Sequence, residues 1–230
     1  MTDSALVIAV DGPSGAGKST AARGTAVALR LRYLDTGAMY RALTWWLLDH
    51  DVDVADPQAV VRHAPGVGIE VSTDPAQQRT LVDGRDVTAQ IREPRVSNAV
   101  SAVAAIPEVR RHLIVAQREI IAAACAAGGI VAEGRDIGTV VAPDAVVKVF
   151  LTASEKARAE RRAAELSGSA ALTRAEQASR DRQDAPQTQV ADDAVEIDAT
   201  KLTLDEVIAR IVQLARSVSA DSVSAGGAGA

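Results

Sequence analysis

A glycine-rich segment that follows a short apolar run constrains the fold of this chain more than any other feature. Residues 5–10 are continuously apolar and too few for a helix, which is typical of a strand buried on both faces of a parallel sheet. Residues 12–19 follow with the sequence GPSGAGKS, which fits the pattern G-x-x-x-x-G-K-S/T and leads into a helical pattern. In this pattern the backbone N–H groups point at a phosphate, Lys18 supplies a mobile positive charge, and the Ser19 hydroxyl can coordinate Mg²⁺. The sequence therefore predicts a nucleoside triphosphate site.

Strand-like runs alternate with helical patterns along most of the chain. Further strands are predicted at 33–35, 130–132, 146–151 and 194–197, and helices at 18–30, 38–48, 107–124 and 203–216. Alternation at this spacing predicts a parallel sheet with helices on both faces, a three-layer α/β/α sandwich. The length of 230 residues favours one domain with insertions.

Two stretches interrupt this alternation, and a third follows it. Residues 66–88 alternate apolar and polar positions up to the tight-turn dipeptide Asp83 and Gly84, which predicts a small antiparallel insert. Residues 155–182 are rich in arginine and helical in pattern, with an interruption SGS at 167–169. The tail at 217–230 is rich in Ala, Gly and Ser, and we expect it to have no structure.

Composition excludes several classes of protein. Asp and Glu number 30 against 25 Lys and Arg, and two Trp, two Tyr and one Phe leave few rings on which bases could stack, so nucleic-acid binding is disfavoured. No apolar run approaches the ~20 residues that span a bilayer. Cys125 cannot form an internal disulfide, and the N-terminus has no basic leader. We expect a cytoplasmic monomer that binds neither nucleic acid nor membrane.

Polar segments follow two of the predicted strands at the point where each strand ends. Residues 35–41 read DTGAMYR and residues 133–138 read EGRDIG. Because the carboxyl ends of parallel strands meet at one edge of a sheet, these segments are placed to bind a second ligand there. The structural alternatives are that Asp35 caps a helix and that Arg135 and Asp136 form a surface ion pair.

The type of nucleotide-binding protein follows only in part from these residues. A guanine-specific switch would need an N-K-x-D loop, and the only asparagine, Asn98, stands in the sequence SNAV. A phosphotransferase would need charged groups around the phosphoryl group and a site for its acceptor.

Together, the segments 12–19, 35–41 and 133–141 closely resemble the bacterial cytidylate kinase family, and the resemblance covers residues 4–216 in order and with the family's spacing. It implies a P-loop fold with a parallel central sheet in one domain at 1–216, a monophosphate-binding insert at about 63–100 and a helical lid at about 155–184. It also implies phosphorylation of CMP or dCMP by ATP with Mg²⁺.

The resemblance also implies roles for the residues at matching positions. The ATP-binding residues would be Gly12, Pro13, Ser14, Gly15, Ala16, Gly17, Lys18, Ser19 and Thr20, with Arg161 and Arg162 from the lid. The CMP-binding residues would be Ser14, Thr36, Arg41, Ser101, Arg110, Arg135, Asp136, Arg180 and, at the sugar, Asp184. The catalytic residues would be Lys18, Arg135, Arg158 and Arg180, and Ser19 would be the direct ligand of an Mg²⁺ otherwise held by water and phosphates.

Elementary chemistry agrees with the roles on the acceptor side. Arg41 and Arg135 would hold the acceptor phosphate, because guanidinium groups bind phosphate oxygens bidentately. Ser101, Arg110 and Asp136 would recognise the cytosine edge. Uracil lacks the exocyclic amine and would leave Asp136 poorly paired, and an unpaired buried polar group costs ~1–3 kcal/mol.

The sequence departs from the family at two positions, of which the first bears on the site and the second on packing. Gln187 stands where the family usually has an arginine, which removes one anion-binding group, and Ala142 stands where it often has phenylalanine. Two alternatives to a cytidylate kinase are considered. One is a P-loop kinase of another nucleotide or small metabolite, and the other is a nucleotide-dependent regulatory module.

Overall fold

The computed structural model describes residues 5–166, 178–179 and 181–226, and for 162–166 and 219–226 it describes the backbone alone. In chain order its strands and helices are β1 (Leu6–Asp11), α1 (Lys18–Leu29), β2 (Arg32–Asp35), α2 (Thr36–Asp49), α3 (Pro57–His63), β3 (Ile69–Val71), β4 (Thr80–Val82), β5 (Arg85–Asp86), α4 (Pro94–Ala104), α5 (Pro107–Cys125), β6 (Gly129–Gly134), β7 (Val147–Thr152), α6 (Glu155–Leu166), β8 (Val195–Asp198) and α7 (Leu204–Gly226). A single π-helical turn covers Ile137–Val141.

The central sheet has five strands in the order β2-β6-β1-β7-β8, and every neighbouring pair is parallel. The register sets Asp11 opposite Gly134 and Asp35 opposite Glu133. The carboxyl ends of β1, β2 and β6 therefore lie side by side, as the sequence predicts.

Helices cover both faces of this sheet. On one face, Ile8 and Val10 pack in a buried cluster that includes Ala22 of α1 and Ile211 of α7. On the other face, Ala9 belongs to a cluster with residues of α2 and α5. Successive residues of a strand point to opposite faces, so one buried strand supplies both clusters. The predicted α/β/α layers are confirmed.

The insert between α2 and α5 has its own apolar cluster. Strands β3, β4 and β5 pair antiparallel, and the turn at Asp83 and Gly84 has positive φ at both residues. Asp83 Oδ1 accepts the N–H of Gly68 at 2.9 Å, which holds the turn against β3. Apolar residues of α2, α3, α4 and α5 form the cluster beside this sheet. The antiparallel insert is confirmed.

The last helix differs from its prediction in length. It begins as expected with a capping box, in which Thr203 N donates to Glu206 Oε2 at 2.8 Å and Glu206 N donates to Thr203 Oγ1 at 3.3 Å. It continues through Gly226, so the expectation of no structure from residue 217 is wrong up to 226. Residues 217–225 contain neither glycine nor proline, and such a sequence can extend a helix already nucleated by packing.

Part of the predicted lid lies outside the described residues. Helix α6 and the helical residues 178–179 and 181–184 agree with the helical pattern, whereas the interruption at 167–169 and Arg180 lie outside the described residues. Within the described part of the chain, no helix has both the length and the apolar character needed to cross a membrane.

Gly129 tests how closely the parallel strands approach each other. Its φ is +133°, and a Cβ there would lie 2.2 Å from the backbone oxygen of Leu6. The change Gly129→Ala should therefore lower the free energy of unfolding by about 2–4 kcal/mol, through backbone strain and a steric overlap. Chemical denaturation measures this value. Gly66→Ala is the control, because a Cβ at Gly66 meets nothing within 4 Å. Equal stability of the two variants would contradict this register.

Candidate active site

A pocket of about 580 Å³ opens at the carboxyl edge of the central sheet. The sequence-predicted residues that line it are Ser14, Gly15, Gly17, Lys18, Ser19, Thr20, Thr36, Arg41, Ser101, Arg110, Arg135, Asp136 and Asp184. They come from the glycine-rich loop, α2, α4, α5, the segment after β6 and the lid. The fold thus brings all three predicted binding segments, 12–19, 35–41 and 133–138, to one pocket.

The glycine-rich loop has a backbone that only glycine tolerates at some positions. Gly12 has a φ of +147°, and a Cβ there would lie 2.1 Å from the carbonyl oxygen of Leu151. Gly17 has a φ of +93° and is the N-cap of α1. Lys18 Nζ folds back over the loop and donates to the carbonyl of Pro13 at 2.9 Å. The loop therefore presents the amino end of α1, which favours bound phosphate.

Buried charges of both signs surround the Lys18 ammonium group. Burial and the nearby Arg135 lower the pKa of Lys18, while Glu133, Asp11 and Asp35 raise it. Burial and Asp35 raise the pKa of Glu133, while Lys18 lowers it. Phosphate oxygens arriving beside Lys18 would add negative charge and favour its protonated form.

The sequence missed the role of Tyr33 beside this lysine. Tyr33 Oη donates to Glu133 Oε1, and both residues line the pocket. Glu133 lies in the predicted segment 133–138 but was given no role of its own, and Tyr33 was not predicted. A tyrosine two residues before the end of a strand has no distinctive sequence signal. A role for Glu133 in the pocket could have been inferred, because Glu133 directly precedes the segment Gly134–Arg135–Asp136.

Helix α2 positions the first acceptor-side residues. Asp35 Oδ1 accepts the N–H of Ala38 at 3.0 Å, so Asp35 caps the helix as the structural alternative proposed. Thr36 Oγ1 donates to the carbonyl of Glu133 at 2.7 Å and joins α2 to β6. Arg41, one turn further, donates from one guanidinium nitrogen to the carbonyl of Ile91 at 3.2 Å and to Ser97 Oγ at 3.0 Å.

A second group of polar side chains faces the pocket from α4, α5 and the segment after β6. Arg110 donates to Asp136 Oδ2, so Asp136 pairs within the pocket and not with Arg135 on the surface. Burial raises the pKa of Asp136, and the Arg110 guanidinium opposes that effect. Ser101 Oγ is buried and has no hydrogen-bond partner within the described residues. These groups offer both a donor and an acceptor to a polar planar ligand.

Two arginines of α6 contact the glycine-rich loop from outside the pocket. Arg158 donates to the carbonyl of Ser14 at 3.0 Å and to Asp181 Oδ2 at 2.5 Å. Arg161 donates to the carbonyl of Ala16 at 3.1 Å. Both therefore hold backbone carbonyls of the loop, and neither lines the pocket. The Arg162 side chain and all of Arg180 lie outside the described residues.

The lid segment also reaches the acceptor side of the pocket. Arg135 and Asp184 form an ion pair at 3.2 Å, and Gln187 lines the pocket beside them. With its amide oriented to satisfy its neighbours, Gln187 donates to the carbonyls of Gln183 and Asp184 at 3.2 Å each. Gln187 therefore closes the end of the short helix around residues 181–184, a role that the departure from the family's arginine did not suggest.

The pocket has further lining residues to which the sequence assigned no individual role. Some come from α1 and α2, some from the antiparallel insert, and some from the wall beside Ser101. They are Arg23, Gly37, Tyr40, Gln78, Thr88, Arg92, Val100 and Ala104. The insert residues share no motif with the rest, so only the folded chain identifies them.

Comparison with known proteins gives matches over most of the chain. The family model described as cytidylate kinase matches residues 8–217. A cytidylate kinase of Streptomyces griseus subsp. griseus is 49% identical over 217 residues, which cover 92% of this chain and 93% of the relative. A cytidylate kinase of Rhodococcus opacus is 47% identical over 92% of this chain and 95% of its own.

A solved structure gives a likeness in fold alone. It is that of an uncharacterized protein from Eubacterium ventriosum, which is 11% identical to this chain with a TM-score of 0.51. The match covers 92% of this chain and 98% of the other.

The charge of Asp11 should make stability depend on pH in a defined direction. Burial raises the pKa of Asp11 from 3.8 to about 6, although amide N–H groups of Gly138 and Ile137 lower it. Between these values the folded state holds a proton that the unfolded state has released, so the free energy of unfolding should fall as pH rises. Relative to that of Asp11→Asn, the free energy of unfolding of the natural protein should fall by about 3 kcal/mol between pH ~4 and pH ~7.

Urea denaturation of both proteins across this pH range measures the difference. Asp193→Asn is a control of opposite sign, because a hydrogen bond from Lys148 lowers the pKa of the Asp193 carboxyl. Parallel stability curves for the natural protein and Asp11→Asn would contradict the prediction.

Proposed function

This chain belongs to the cytidylate kinase family, and on that premise we propose how its pocket transfers a phosphoryl group from ATP to CMP or dCMP. The observation that carries the proposal is that a glycine-rich loop with its backbone amides and a set of arginines line one pocket. Phosphoryl transfer depends on positioning and on neutralising charge, and needs no covalent nucleophile on the protein.

The donor phosphates bind at residues 12–20. The loop amides and the amino end of α1 hold the β-phosphate, and the Lys18 ammonium moves from the Pro13 carbonyl to the phosphate oxygens. The Ser19 hydroxyl, with Glu133 and Asp35 behind it in the lining, offers the oxygen ligands that suit Mg²⁺. When bound with ATP, Mg²⁺ would neutralise part of the phosphate charge.

The acceptor phosphate binds between Arg41 and Arg135, close to Ser14 and Thr36. Both guanidinium groups line the pocket, and each can present two N–H groups to a phosphate. Arg135 also pairs with Asp184 at 3.2 Å, so the residue assigned to the sugar orients the one assigned to the phosphate. The acceptor oxygen is thereby directed at the γ-phosphate, and the developing charge is met by Arg135 and Lys18.

The cytosine edge binds at Ser101, Arg110 and Asp136. Asp136 accepts a hydrogen bond from the exocyclic amine, while Arg110 and the Ser101 hydroxyl donate hydrogen bonds to the cytosine acceptors N3 and O2. The buried Ser101 hydroxyl, which no described residue satisfies, gains a partner when the base binds. Uracil presents a carbonyl in place of the amine, so two hydrogen-bond acceptors would face each other at the Asp136 carboxylate.

The lid closes over ATP and excludes water. The contacts of Arg158 and Arg161 with the loop carbonyls of Ser14 and Ala16 support a role of α6 in this lid. We assign Arg162 and Arg180 to the same lid from the family resemblance. Excluding water protects ATP from hydrolysis while the acceptor is absent.

Base discrimination tests the assignment of Asp136. A coupled assay of ADP release should rank CMP and dCMP at least tenfold above AMP and GMP, and above UMP by roughly 5- to 150-fold. Asp136→Asn should reduce the CMP preference over UMP towards equality, because an amide can pair with either base. Asp144→Asn, a change at an exposed carboxylate away from the pocket, should leave it unchanged. A preference for AMP or GMP would refute cytosine recognition and favour the kinase of another acceptor.

Removal of Arg135 tests the acceptor phosphate site. Arg135→Ala should lower kcat/KM for CMP by about 10³–10⁵, because a guanidinium that neutralises phosphoryl charge contributes that much to the rate. Arg111→Ala is the matched control, since Arg111 pairs with Glu108 on the exposed side of α5. Activity above a tenth of the natural level in Arg135→Ala would show that another residue holds the phosphate.

A further inference from the structure

The carboxylate of Asp11 bridges two loops of the pocket. Its Oδ1 accepts the N–H of Ile137 at 2.9 Å and its Oδ2 accepts the N–H of Gly138 at 2.8 Å. Asp11 is the last residue of β1 and directly precedes Gly12, the first residue of the phosphate loop. The two amides directly follow Asp136. One side chain thus joins the start of the donor loop to the residue assigned to the cytosine amine.

The amides that Asp11 binds begin the π-helical turn Ile137–Val141. In this turn the N–H groups of Val140 and Val141 both donate to the carbonyl of Asp136, at 2.9 and 3.2 Å. The first N–H groups of a helical turn have no partner within the turn, and the Asp11 carboxylate supplies one. The carbonyl of Asp136 is therefore hydrogen-bonded to the end of the turn. The two amides that directly follow Asp136 are held by the Asp11 carboxylate.

Arg118 of α5 holds the other end of the same turn. Its guanidinium donates to the carbonyls of Val140 and Val141, at 2.6 and 3.1 Å. A carboxylate thus binds the amides at the start of the turn and a guanidinium binds the carbonyls at its end, which is the favourable arrangement of charges. Helix α5 also carries Arg110, which pairs with Asp136.

The space around Asp11 allows little movement. Asp11 is 5% exposed, and a Cβ on Gly138 would lie 3.2 Å from the Lys148 side chain and 3.5 Å from Asp11 Oδ2. Burial raises the pKa of Asp11, so the ionised carboxylate costs the fold stability at neutral pH. A carboxylate in this place is thus better explained by the two amides that it orients than by a contribution to stability.

We propose that Asp11 is a positioning residue that orients Asp136 towards the acceptor base, and that it thereby sets both the affinity for CMP and the preference for CMP over UMP. The inference rests on the proposed function, in which Asp136 recognises the cytosine amine. In a pre-organised site, moving a group by about 1 Å lowers the reaction rate by up to ~10²-fold. Removing one of the two bonds to the turn should therefore weaken CMP recognition at least tenfold.

The test is the steady-state kinetics of Asp11→Asn with ATP, CMP and UMP. An asparagine keeps the size of the side chain but offers one acceptor oxygen, so it opposes one of the two N–H groups with its own N–H₂. We expect the KM for CMP to rise about tenfold or more, the CMP preference over UMP to fall at least about fivefold, and the KM for ATP to change less than about threefold. Asp205→Asn makes the same chemical change at an exposed carboxylate of α7, away from the pocket, and should change none of these values by more than about twofold.

The outcomes separate this inference from the proposed function. If the natural protein does not phosphorylate CMP, the proposed function fails whatever the variant does. If the natural protein prefers CMP and Asp11→Asn keeps the natural KM values and preference, with only the amount of active enzyme reduced, Asp11 is merely structural and the inference is overturned. An equal rise in the KM for ATP and CMP also overturns it.

A second variant keeps the inference testable if Asp11→Asn does not fold. Arg118→Met removes both hydrogen bonds at the other end of the turn and leaves the root of the phosphate loop untouched. A selective rise in the KM for CMP, with a reduced CMP preference over UMP, would support positioning through this turn. Unchanged KM and preference would overturn it.

Discussion

The parallel pairing of β1 with β6, and of β6 with β2, is the constraint on which the pocket depends. The register puts Asp11 opposite Gly134 and Asp35 opposite Glu133. The segments that follow β2 and β1 therefore leave the sheet one strand spacing to either side of the segment that follows β6. The close approach at Gly129, where a Cβ would lie 2.2 Å from the backbone oxygen of Leu6, shows how little space the pairing of β1 with β6 leaves. The glycine-rich loop and the polar segments 35–41 and 133–138 reach one pocket because of the same hydrogen-bond ladder.

Burial of charge is the second feature that joins fold to reaction. Lys18, Glu133 and Asp11 lie at the end of the sheet, where water is largely excluded, and each is held by a specific partner. Lys18 donates to the Pro13 carbonyl, Glu133 accepts from Tyr33, and Asp11 accepts two backbone N–H groups. Charges in such surroundings cost stability, and an ammonium group there attracts phosphate more strongly than it would in water. A site of this kind is organised before its substrates arrive.

Much of this arrangement could be predicted from short segments whose chemistry is local. The loop at 12–19, the capping box at Thr203 and the antiparallel turn at Asp83 depend on residues a few positions apart, and the structure has all three. Helix α4 was missed because its apolar face is defined by α2 and the insert that it covers. The end of α7 was also missed, since a segment of Ala, Ser and Val is compatible with either state until a packed helix precedes it. Arg158 and Arg161 bind loop carbonyls, a contact that no spacing in the sequence encodes.

The sequence by itself determined that residues 12–19 form a glycine-rich loop between a strand and a helix, that strands and helices alternate, and that the polar segments 35–41 and 133–138 follow strands. It determined these points because backbone freedom, periodicity and strand order are properties of neighbouring residues. Only the tertiary structure decided that Asp136 pairs with Arg110, that Tyr33 holds Glu133 and that Asp11 reaches the amides after Asp136. These partners are 26, 100 and 126 positions apart. Side chains so distant in the chain meet because the sheet aligns their strands and helix packing sets the angle at which each side chain enters the pocket.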